Sequence, residues 1–366
     1  MANSSQTQKA GDNATQMQVG TVVNNYVTVG VSEERAKEIC KEQFRALIKE
    51  YSNEAAQTTL RRVDALENAM IPRLKQIDDK FRFLTDPAFL ILLREAAFVA
   101  VSTDKKEDYD LLSELLGAHI QSGDERKKKA GIRRAIKVVD DIDSSALCGL
   151  SILFFMQTFT IKSNNLVDLL LRFSSTIAPF MSTDLPKGDA WLEHLDLLSA
   201  VRVLQFNTLV KMHEIFTNHY DGIICVGIKK DSEEYDKAVK ILSDGDVSPS
   251  MLVGNELLDG YVRLVFGKKS EIAESKFYNP RSPINSLDND KCRAACLKVW
   301  EFYSHESSLK KEVVDNFIKR WDEYECLKKL RSWWDNIPHS AKITDLGDAL
   351  ARANVIRCCP SLKPLI

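Results

Sequence analysis

The sequence predicts a mainly α-helical protein, a helical bundle or an irregular helical solenoid with a short N-terminal β segment. Three observations carry that expectation. Apolar residues recur in steps of three and four from Ala36 to Ile77, the spacing that lines one face of a helix. Long runs at 87–102, 106–121 and 144–161 are apolar or amphipathic and exceed ordinary strand length. Strand-like spacing is confined to residues 17–29 and two short runs beyond 218.

The leader comes first. Residues 1–14 are rich in Ser, Asn, Gln and Thr and offer little apolar surface to bury. From Met17 the odd positions run Met17, Val19, Thr21, Val23, Asn25, Val27 and Val29, against Gln18, Gly20, Asn24 and Thr28 on the even ones. Period two predicts one half-buried strand, or a hairpin turning at Asn24-Asn25. Two strands alone are marginal in water, so the segment requires a further surface. Another copy of the chain is the favoured one, with Met17, Val19, Val23, Val27 and Val29 as oligomerisation residues; docking on strands of the same chain is the alternative.

Ser32 can cap a helix that opens EERAKE and places carboxylates at its positive end. The apolar series through Phe44, Leu47, Tyr51, Leu60, Val63, Leu66, Met70 and Leu74 predicts a long amphipathic helix or a helix pair over 32–85, of the kind that forms coiled coils. Pro72 should kink or break it. Assembly is accordingly expected through residues 15–80.

A helical core domain is expected over 86–217. Its members are 87–102, 106–121, the basic-then-apolar stretch 127–143, the apolar 144–161, 164–180, and 189–216 as one helix or two. A C-terminal domain over 218–366 follows. HYDGIICVGI (219–228) and YVRLVFG (261–267) read as short strands, and 288–306, 308–337 and 344–355 as helices. The loop 277–290 is a second candidate boundary. No fixed repeat period emerges.

Composition excludes little but points one way. A 366-residue chain with 44% apolar and 28% charged residues is globular, and its net charge of −2 gives no global basic field for a polyanion. The eight cysteines are scattered without a CxxC pair, which favours reduced thiols and a cytoplasmic setting. No basic-then-apolar leader of secretory type is present. The run 144–161 carries Ser, Thr and Gln and follows VVDDIDS, so it reads as a buried helix and not a membrane span. Association with a membrane is not expected.

The chemical motifs are weak. GKKSEI at 267–272 lacks the glycine four residues earlier that a phosphate-binding loop needs to aim its amides. Cys292 and Cys296 share a helix face, and Cys358-Cys359 form a doublet; buried apolar thiols are the better reading than zinc ligands, so no metal or cofactor is assigned. The histidines at 119, 194, 213, 219, 305 and 339 show no paired base or ligand pattern. Lys127, Lys128, Lys129, Arg133 and Arg134 form the best basic cluster for nucleic-acid phosphates, although a solvated helix start beside an acidic neighbour is the favoured reading of them. Trp333 and Trp334 adjoin on a helix, so at most one can point straight inward.

Two resemblances add to this. KITDLGDALARANVIRC (342–358) is similar to the closing helix and strand of winged-helix modules, with Thr344 as cap and Gly347 allowing close packing. QKAGDNATQMQVG resembles the leaders of uncharacterised bacterial proteins, some associated with antiviral defence, through Gln8, Gly11, Asp12, Asn13, Thr15, Gln16, Gln18 and Gly20. That likeness implies multimer formation and a bacterial defence setting, and brings no catalytic residue. The expected function is a homo-oligomeric helical scaffold or sensor with a protein partner. A nuclease or hydrolase site assembled from distant segments, or a nucleic-acid-binding protein, are the alternatives.

Overall fold

The computed structural model describes residues 30–48, 53–182, 184–277 and 288–365. The fold is mainly α. The leader residues Met17, Val19, Val23, Val27 and Val29 lie outside the described part.

The chain enters at Val31, whose N–H donates to the Lys80 carbonyl at 2.8 Å. The 32–85 region is a helix pair, α1 (Glu33–Ile48) and α2 (Asn53–Ile77), and α2 continues through Pro72. Next come α3 (Pro87–Ser102), α4 (Lys106–Gln121) and α5 (Arg126–Ile136). Asp86 caps α3 by accepting from the Ala88 N–H, and proline opens that helix where its missing donor costs nothing. The apolar run at 144–161 becomes α6 (Ser144–Thr158), buried on every side from Ala146 to Phe155. None of the described helices is long and apolar enough to cross a membrane.

After α7 (Leu166–Ile177) the chain departs from expectation. Residues 189–216 do not form one or two stacked helices; α8 (Ala190–Leu197) is followed by Ser199, which adopts a φ of 62°, and β1 (Val201–Leu204) intervenes before α9 (Met212–His219). The run 219–228 is also mostly turn, with only Ile228–Lys229 as β2. There Tyr220, Ile223, Ile224 and Val226 are buried without strand pairing, so the apolar run reflects tertiary burial and not a strand.

The next stretch holds α10 (Glu233–Asp244), β3 (Leu252–Gly254), β4 (Tyr261–Leu264), α11 (Glu271–Glu274) and α12 (Asn289–Trp300). β4 is the middle strand of an antiparallel sheet ordered β2-β4-β3. The expected helix at 308–337 is two, α13 (Ser307–Asp322) and α14 (Glu325–Trp334). β5 (Ser340–Ile343) and α15 (Asp345–Cys358) follow. β5 pairs antiparallel with β1, Val201 opposite Ile343, far back along the chain and not with a neighbouring strand of a wing.

Two apolar cores result. The larger gathers α2, α3, α4, α6, α7 and α15 together with α13 and α14. An aromatic cluster of Phe155, Phe173, Phe216, Phe317 and Trp321 sits within it, with Trp321 edge-on to Phe216 at 4.6 Å. The smaller core lies between the three-stranded sheet and α10 and α12, around Ile228, Leu242, Leu264, Cys296 and Val299. The C-terminal helices therefore return to the first core after the second is made.

Candidate interaction face

The surface that stands out is built by α8, β1, the loop after β1, and the segment from α14 into β5. Its origin is local. The left-handed turn at Ser199 reverses the chain from α8 into β1, while Thr344 donates its hydroxyl proton to the Ser199 and Ala200 carbonyls at 2.7 and 3.0 Å. A Cβ on Gly347 would lie 1.9 Å from the Ala200 oxygen, so α15 can press against this turn only with glycine there.

The loop after β1 is pinned at both ends. Asn207 accepts from the Ser340 N–H at 2.8 Å, the Val210 carbonyl accepts from Trp334 Nε1 at 2.9 Å, and the Met212 N–H donates to Asp335 Oδ1 at 2.9 Å. Lys211 Nζ donates to the Asp335 carbonyl. Between these anchors Phe206 stands 99% exposed, near Leu197 at 81%, Val210 at 50% and Leu204 at 41%. A loop held by so many bonds does not leave a phenylalanine outside through slackness.

Phe206 and Leu197 border a cleft of about 530 Å³ lined also by Asp189, Leu192, Glu193, Asp196, Val203, Gln205 and His339. Asp196 is paired with Arg202 at 3.1 Å, whereas Asp189 and Glu193 form no ion pair among the described residues. His339 Nδ1 is buried and without a hydrogen-bond partner. Across the Gly188–Trp191 turn lies a second cleft of about 590 Å³, floored by Trp191 and Trp333 with Met181, Leu185, Pro186 and Ile337. The two indoles lie 5.7 Å apart, and Trp333 Nε1 donates to the Pro186 carbonyl at 2.8 Å. Trp334 points inward, which resolves the tryptophan pair as one wall residue and one core residue.

A family model of uncharacterised function matches residues 30–363. The chain belongs to that family. No curated protein and no solved structure matches it. The family match spans both clefts and α5.

The other sequence candidates fall in different places. Lys127, Lys128, Lys129, Arg133 and Arg134 all lie on α5, whose Gly131, Ile132, Ala135 and Ile136 face the interior. Lys127 pairs with Asp345 at 3.2 Å, Lys128 with Glu125 at 2.8 Å, and Arg133 grips Glu95 through two bonds of 2.9 and 2.6 Å. In GKKSEI the amides of Gly267 and Lys268 donate to Glu271 Oε2 at 3.0 and 3.3 Å, so the chain's own carboxylate occupies donors that a phosphate would use. Cys292 and Cys296 are fully buried in the smaller core, and burial pushes the Cys296 thiol up to about 12. No group of three or more His, Cys, Asp or Glu able to hold a metal is present among the described residues.

The histidines are dispersed. His194 Nε2 accepts from the Asp143 N–H at 3.2 Å, His219 Nδ1 meets the Ile215 carbonyl at 2.9 Å, and His213 lies 4.0 Å from Glu214. Only His339 lines the cleft, and sequence reasoning had no means to select it. Phe206 was missed as well, because the surrounding apolar residues also fit a helical step.

Proposed function

We propose that the protein is a self-associating helical scaffold that captures a partner polypeptide on the α8–β1 face. The ligand class is an extended segment with an apolar anchor flanked by Lys or Arg. The observation that carries this reading is Phe206, almost wholly exposed on a pinned loop at the lip of a cleft. Apolar groups held in water at such a position gain when a partner covers them, and rigid aromatic anchors dominate binding energy at many interfaces. Asp189 and Glu193, without internal cations, supply the charge that selects a basic segment. The neighbouring tryptophan cleft offers a second anchor site.

Self-association is the leader's part in the proposal, through Met17, Val19, Val23, Val27 and Val29. The leader resemblance extends it to bacterial antiviral defence, with the scaffold presenting several copies of one face.

Immobilised peptides carrying Phe or Leu between Lys and Arg, beside matched peptides with Glu and Asp flanks, test the face directly. The basic set should bind the full chain, and Phe206→Asp should weaken binding at least about tenfold while the circular dichroism spectrum is unchanged. Glu193→Lys should shift preference toward the acidic set. Equal binding of both sets, or binding indifferent to Phe206, would overturn the reading. Separately, the solution mass of the full chain should correspond to several protomers and that of a chain beginning at Ser32 to one; equal protomer numbers would remove the leader's role.

A further inference from the structure

A different surface carries an independent inference. α5 presents Arg126, Lys127, Lys128, Lys129, Arg133 and Arg134, and Lys137 follows at its end. Its inward residues are buried against the body, while Arg126, Lys127, Lys128, Arg133, Arg134 and Lys137 are exposed and Lys129 is half-buried. Internal carboxylates hold Lys127, Lys128, Arg133 and Lys137, the last at 3.5 Å from Glu95. Arg126, Lys129 and Arg134 form no ion pair among the described residues. In a chain of net charge −2 this concentration is local and not a reflection of composition.

The neighbouring helix supplies a second feature. Glu95 of α3, which receives Arg133 and Lys137, shares its outward stripe with Ile91 and Phe98, and both are 52% exposed. Residues three and four apart on a helix are surface neighbours, with Cβ atoms roughly 5–6 Å apart. An exposed aromatic ring therefore stands beside the cationic helix. From Arg126 to Lys137 the cations extend roughly 16 Å at helical rise, enough to follow a short length of phosphate backbone.

We infer that the α5–α3 surface binds single-stranded nucleic acid, with Arg126, Lys129 and Arg134 on the phosphates and Phe98 stacking against a base. Cations alone would suit a duplex equally well; the adjacent exposed ring favours an unpaired strand, whose bases have free faces. Neither contact reads base edges, so binding is indifferent to sequence. His119 lies near this surface, where burial, then Lys129 and Arg133, hold its pKa below the ordinary value, with Asp86 opposing. A bound polyanion offsets the two cations and moves that titration upward.

The test is fluorescence anisotropy of the full chain with labelled oligothymidylate, in parallel with a labelled duplex and with vesicles containing phosphatidylserine. Three phosphate contacts predict that affinity for the strand falls about twentyfold between 50 and 200 mM salt. The triple variant Arg126→Glu, Lys129→Glu, Arg134→Glu should abolish binding, and Phe98→Ala should weaken it by about tenfold. Unchanged circular dichroism and melting would exclude misfolding of either variant. Tighter binding to duplex with no effect of Phe98, attachment to vesicles alone, or no binding at low salt would each overturn the inference. A His119 imidazole resonance whose titration does not move on saturation with oligothymidylate would place any binding elsewhere.

Discussion

Glu67 on α2 is 7% exposed, and its Oε2 is buried without a hydrogen-bond partner. Burial raises its pKa above the ordinary carboxylate value; Lys41 and Lys37 oppose this, and Asp64 adds to it. The native state then holds the proton at pH values where the unfolded chain has released it. Stability is therefore full below the unfolded pKa and declines as pH rises through the folded one. Glu67→Gln removes the buried charge at nearly constant volume. It should be more stable than the parent at pH 7 by about 1 kcal/mol, with no such decline across the weakly acidic range. Urea melts at a series of pH values measure this, and a less stable variant at pH 7 would mean that Lys41 outweighs burial. The thiols follow the same physics: burial pushes Cys40 and Cys148 up to about 12, which fits apolar packing and not nucleophilic use.

Among the elements, the junction of β1, β5 and α15 decides how the candidate face is held. Thr344 Oγ1 accepts from the Gly347 N–H at 3.1 Å, and the helix start lies directly over the Ala200 carbonyl. Gly347→Ala should cost about 2 kcal/mol, seen as a lower denaturant midpoint, and should loosen the Ser199 turn that sets the cleft. An unchanged midpoint would show that α15 can shift freely. Much of this junction was legible: cap and close-packing glycine are chemical signals that stand in the sequence itself. β1 was not, because VRVL is too short to declare a period and the surrounding leucines and valines also fall at helical steps. The division of 308–337 at Glu323-Tyr324 lacks any proline or glycine to announce it. α5 was legible as a basic helix start, yet its exposed neighbour Phe98 was not, since α3 reads as apolar all round and only packing shows which side is left uncovered. Likewise, Phe206 becomes a site residue only when α14 and β5 pin its loop.

At the scale of the whole molecule, the two cores are joined by a buried charge. Arg263 of β4 is fully buried and reaches Glu256 through several bonds, the shortest 2.8 Å, while also donating to the Asn164 carbonyl at 2.9 Å just before α7. Glu256 in turn accepts from the Leu166 N–H at 3.2 Å. One guanidinium thus ties the three-stranded sheet to the helical body, and planar multidentate geometry makes arginine hard to replace there. Arg263→Met fills similar space but leaves Glu256 and the Asn164 carbonyl without that donor, a change that should cost about 3–5 kcal/mol. The loss should be uneven. Native-state hydrogen exchange should show reduced protection in β3, β4, α10 and α12, with α4, α6 and α15 nearly unaffected, because those helices share the larger core. Equal loss throughout would show that the two cores unfold as one unit and that Arg263 supports both. Localised loss would identify the smaller core as a separable cooperative unit, attached to a helical body that keeps its interaction face when the sheet is loosened.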